Sequence, residues 1–145
     1  MTSRINVTLC LLAATVTLSF SAQAFDIKTR SDNPAITDAA LRAAVKEIAA
    51  EVGNSIPQSP DIKVYVYTRA LPSKIEGQVI YLHRVQLTKA FSGEAPYPTH
   101  AWLPIKSAER YGVDDPVAVR AKLDETLREF FTQMKSVDPV KGSAE

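Results

Sequence analysis

A chain of 145 residues with 17 basic and 16 acidic side chains has length for one folded domain and no strong field of either sign. Near neutrality argues against non-specific nucleic-acid binding, which depends on a dense positive surface. A single cysteine, Cys10, excludes an intrachain disulfide and a cysteine metal cluster.

Residues 1–24 read as a secretory signal peptide. Arg4 supplies the positive start, Val7–Phe20 the apolar run, and Ala22-Gln23-Ala24 a small-x-small cleavage site. The run is shorter than the roughly 20 residues a spanning helix needs. Arg4 is the only charged group of the leader, so cleavage leaves 16 of the 17 basic residues against 16 acids, and no cysteine. A cysteine-free exported chain suits a bacterial periplasm. The expected localisation is periplasmic or secreted, with no stable membrane span after cleavage. The expected divisions are a single α+β domain over 25–138 and a disordered tail over 139–145.

Phe25–Asn33 is polar with one Phe and one Ile, and reads as an extended arm. Asp32-Asn33-Pro34 is a helix-start pattern, with Pro34 at the first helical position; Thr37 is a rival cap one turn later. Leu41, Ala44, Val45, Ile48 and Val52 follow at spacings of three and four, the stripe of an amphipathic helix that Gly53 closes. Ile62–Arg69 alternates cleanly. Ile62, Val64, Val66 and Thr68 share one face, and Lys63, Tyr65, Tyr67 and Arg69 the other. Ala70–Gly77 reads as a loop.

Gln78–Thr88 is the longest run rich in β-branched and aromatic residues, and is expected as the central strand. Val79, Tyr81, His83, Val85 and Leu87 share a face. Ile80 and Leu82 are apolar on the side that turns polar at Arg84. This predicts that both faces are covered at that end; the alternative is a β-bulge near His83-Arg84. Ala90–Pro98 reads as a loop, and Thr99–Ile105 as a third strand that Pro104 confines to an edge. Lys106–Tyr111 reads as a helical turn capped by Ser107 and closed by Gly112. Asp115-Pro116 then starts the last helix, with Val119, Leu123, Leu127, Phe130 and Met134 as its stripe.

The expected fold is therefore a two-layer α-β-β-β-α domain, a three-stranded antiparallel sheet packed by two amphipathic helices. The double-stranded-RNA-binding domain shares that element order and nothing more. Asp114–Glu145 holds five basic and seven acidic residues, which speaks against nucleic acid as a partner.

No nucleophile elbow, phosphate loop or metal-ligand spacing stands out, so no catalytic residue, metal site or cofactor is expected. The more specific feature is aromatic. Tyr65, Tyr67 and Trp102 with Arg69 and Arg84 point to a sheet face that binds a protein or a cell-envelope polymer. Two alternatives remain: a small hydrolase or metal-dependent enzyme using His83 or His100, and a self-assembling subunit such as a homodimer.

Overall fold

The computed structural model describes residues 25–54, 56–92 and 100–135. The leader and the tail expected at the two ends lie outside these residues, as does most of the 90–98 segment. The elements run β1 (Asp26–Asp32), α1 (Asp38–Val52), β2 (Ile62–Pro72), β3 (Val79–Ser92), β4 (His100–Asp114) and α2 (Pro116–Met134). They form one four-stranded sheet in the order β1-β2-β3-β4. β1 is parallel to β2, and the other pairs are antiparallel. The α+β class expected from the sequence holds, but the sheet has a fourth strand and is mixed.

That fourth strand is the expected arm. In Asp26–Asp32 only Ile27 is buried, while Asp26, Lys28, Arg30 and Asp32 are exposed. An edge strand needs few apolar residues, so the run looked too polar to pair. Helix α1 makes the crossover from β1 to parallel β2. It starts at Thr37, whose side chain accepts from the Ala40 N–H. Asn33 is spent elsewhere. Its Oδ1 accepts from Ala35 N at 3.0 Å, and its carbonyl accepts from Ile36 N, which makes a turn before the helix. Gly53 closes α1 at φ 73°, as expected.

The first expected strand extends to Pro72, so Ala70–Pro72 is strand rather than loop. β4 also runs on, to Asp114, which removes the expected helical turn at Lys106–Tyr111. Lys, Ala, Glu and Arg give this segment helical composition, and pairing with β3 overrides it. Gly112 stands opposite Tyr81. A Cβ there would lie 3.1 Å from the Tyr81 hydroxyl, so glycine lets the ring lie across β4. Pro104 does sit on an edge strand.

Neither explanation offered for the central strand survives. Ile80 is 49% exposed, so that end is not covered on both faces, and the register is regular through His83-Arg84. The irregularity falls between Leu87 and Thr88.

Both helices pack on the face carrying Ile27, Val64, Val66, Val85 and Leu87. Leu41, Ala44, Val45 and Ile48 come from α1, and Leu123, Leu127, Phe130, Phe131 and Met134 from α2. Asp115 caps α2 by accepting from Val117 N and Ala118 N. Phe130 and Phe131 meet edge to face, and Phe131 also touches Phe25. Arg120 pairs with Asp124 at 3.3 Å, and Arg128 reaches Glu51 on α1 and ties the two helices together.

Candidate functional site: the open face of the sheet

The side of the sheet opposite the helices has no described element packed on it. Alternation sends every second residue of each strand there, and the register sets them in rows. Arg30, Tyr67, Arg84 and Glu109 make one row, and Asp32, Arg69, Leu82 and Tyr111 the next. Leu71, Ile80 and Val113 end the face, while Lys28, Tyr65, Gln86 and Ser107 lie on the other side of the charged row. Trp102 pairs with Ala90 and lies near Lys63, whose ammonium stands 4.2 Å from the Trp102 ring centre. All five residues singled out in the sequence, Tyr65, Tyr67, Arg69, Arg84 and Trp102, thus share this face. Tyr81 does not; it is buried on the helix side, its ring 5.0 Å from that of His83.

Sequence reasoning missed half of the surface. Lys28, Arg30 and Asp32 lie in the segment expected as an arm, Tyr111 lies in the expected turn, and Val113 lies just beyond it. Tyr111 is 79% exposed. The signal that could have found it is parity: Glu109, Tyr111 and Val113 alternate with Ala108, Arg110 and Gly112.

The polar groups are arranged in ion pairs. Arg30 bonds Asp32 at 3.2 Å, Lys63 bonds Asp26 at 3.3 Å, and Arg84 bonds Glu109. The Tyr67 hydroxyl donates to Asp32 at 2.9 Å, and Arg30 lies over the Tyr67 ring at 5.7 Å. Tyr67 and Arg30 together hold the Asp32 carboxyl below its ordinary range. Partial desolvation and the neighbouring Asp32 charge push the Tyr67 hydroxyl up. At neutral pH the row is an ionised carboxylate bracketed by a neutral phenol and guanidinium groups. This arrangement offers hydrogen bonds and charge over a wide flat area.

His83, the alternative catalytic candidate, has a structural position. It is 0% exposed, and Nε2 lies 3.0 Å from the Val119 carbonyl. A carbonyl only accepts, so Nε2 carries the proton and Nδ1 accepts from the Thr68 hydroxyl at 2.9 Å. Both ring nitrogens are occupied, which leaves neither for a metal or a substrate. The side chain of His100 lies outside the described ones. Among the described residues no group of three or more His, Cys, Asp or Glu side chains could hold a metal ion.

A second feature is a small hollow of about 110 Å³ lined by Pro34, Leu71, Pro72, Val79 and Pro116. Its one polar side chain, Asn33, is engaged by Ala35. The hollow therefore lacks the convergent polar groups of an active site.

No family model and no curated protein matches this chain. Among solved structures, one described as a candidate lipoprotein from Caulobacter crescentus CB15 is similar at 15% identity. The match covers 74% of this chain and 80% of the other, with a TM-score of 0.23. Among the described residues, no helix is long and apolar enough to cross a membrane.

Proposed function

We propose that this is an exported binding protein whose open sheet face captures a protein or cell-envelope polymer, without catalysis. The observation that carries the reading is the placement of Tyr65, Tyr67, Arg69, Arg84 and Trp102 on one sheet face, while the other face supplies the core. Tyr111, Ile80, Val113 and Leu71 add large exposed apolar groups to the same surface. Such a mixture of aromatic, arginine and aliphatic groups is typical of recognition surfaces. Export is supported by the leader pattern at residues 1–24.

The test is a double variant, Tyr67→Ala with Arg69→Ala, in protein recovered from the periplasm after expression of the full chain. Its mass should show that it begins at Phe25. Because neither side chain is core, the variant should lose only about 1–2 kcal/mol of stability, the scale of a cross-strand pair and an exposed hydrogen bond. It should also fail to retain components of an envelope extract that the parent retains. Undiminished retention, or wholesale unfolding, would exclude this face as the binding surface.

A further inference from the structure

The face is not electrically neutral once its internal pairs are set aside. Asp26, Asp32 and Glu109 are each matched by Lys63, Arg30 and Arg84. Lys28 and Arg69 are exposed and in none of these pairs, although Arg69 also lowers the Asp32 carboxyl from a distance. The surplus is cationic, so an anionic occupant is favoured.

Two further observations narrow its class. Two of the aromatic rings on this face already carry a cation. Lys63 sits over Trp102, and Arg30 over Tyr67. Beside Arg69, the row Leu71, Ile80 and Val113 is aliphatic, with exposures of 43%, 49% and 49%. Branched aliphatic groups match peptide side chains better than hydroxyl-rich polymers.

Resting on the reading of this face as the binding surface, we infer that its occupant is an extended acidic peptide segment of a protein partner. Such a segment carries carboxylates for Lys28 and Arg69 and an apolar side chain for the Leu71–Ile80–Val113 row. The register gives its spacing. Lys28 stands beside Tyr65, Arg69 lies four residues further along β2, and Leu71 two beyond that. At about 3.3 Å per residue, the two cations are roughly 13 Å apart along the strand. In an extended peptide this places acids four residues apart and an apolar residue two further on, all on one side of the peptide.

The test uses protein purified after expression of the full chain, labelled with ¹⁵N. The probe is a heptapeptide with Glu at its first and fifth positions, Leu at its seventh, and Ser or Thr elsewhere. Three comparison ligands are the same peptide with Lys for Glu, the same with Ser for Leu, and heparin. The Glu–Leu peptide should shift amides of Lys28, Tyr65, Arg69 and Ile80. It should bind about ten-fold more tightly than any comparison ligand, and Lys28→Glu with Arg69→Glu should remove that advantage. If this variant unfolds at a lower temperature than the parent, Lys28→Gln with Arg69→Gln takes its place. Equal binding of the Lys peptide or tighter binding of heparin, with shifts still on this face, overturns the acidic-peptide assignment and leaves the face as a binding surface. Shifts confined to α1 and α2 overturn both. Self-association of the unliganded protein that masks the same amides overturns the assignment in favour of a second copy.

Discussion

Leu127→Ala should cost about 2–5 kcal/mol, the range for removing a fully buried leucine and leaving a cavity. Leu127 is 0% exposed at the centre of the α2 stripe, between Leu123 and the Phe130–Phe131 pair. Val64, Val66, Val85 and Leu87 form the sheet side of the same core. Packed side chains from two rigid layers cannot close over the gap, so much of the cavity would remain. Lys122→Ala is the control. That side chain is 37% exposed in an i,i+3 pair with Glu125, and its loss should change stability by no more than about 0.5 kcal/mol. Urea unfolding of the two variants checks the contrast. Equal effects would mean that α2 packs through a different face.

The second large effect concerns His83 and acid. Burial lowers its pKa below the ordinary value of 6.5; the bond to Val119 opposes this, Arg110 adds to it, and Asp124 opposes it. The folded state therefore resists the proton that the unfolded chain accepts. His83 contributes its full share of stability above pH 6.5 and loses it as pH falls below that value towards the lower folded pKa. The slope reaches at most about 1.4 kcal/mol per pH unit. Chemical unfolding should show the parent less stable at pH 5.5 than at pH 7.5. His83→Gln should flatten this window, which lies above the ordinary range of the carboxyl groups. At pH 7.5 it should already be about 1–3 kcal/mol less stable, because Thr68 or Val119 loses a buried partner. A parent whose stability is level between these pH values would show that His83 titrates normally and is not sealed in the core.

Both amphipathic helices were legible because their stripes are long and their caps are chemically explicit, as in Asp115-Pro116 and Gly53. Strand Ile62–Arg69 was legible because its alternation is strict. What escaped was pairing that local composition does not encode. β1 has a single buried apolar residue, since an edge strand leans on β2 for its stability. The second half of β4 carries helix-forming residues, and only the opposite strand explains them: Ala108 faces Val85, and Gly112 makes room for Tyr81. At Ile80 and Leu82 the extra hydrophobicity suggested a second cover. Those residues instead lie on the uncovered face of the sheet, where Ile80 is 49% exposed. The five binding candidates share a face because of how β2, β3 and β4 pair, and long flanking loops hide that register from a sequence reader.

The central claim is that the uncovered sheet face is where a partner binds. The most direct measurement is site-specific photo-crosslinking in the cells that produce the protein. The photoreactive residue p-benzoylphenylalanine would replace Tyr111, exposed on that face, or Arg42, exposed on the opposite side of the molecule on α1. The account predicts adducts to a protein or an envelope polymer from the Tyr111 position and none from Arg42. Adducts from Arg42 alone, or equally from both positions, would contradict it.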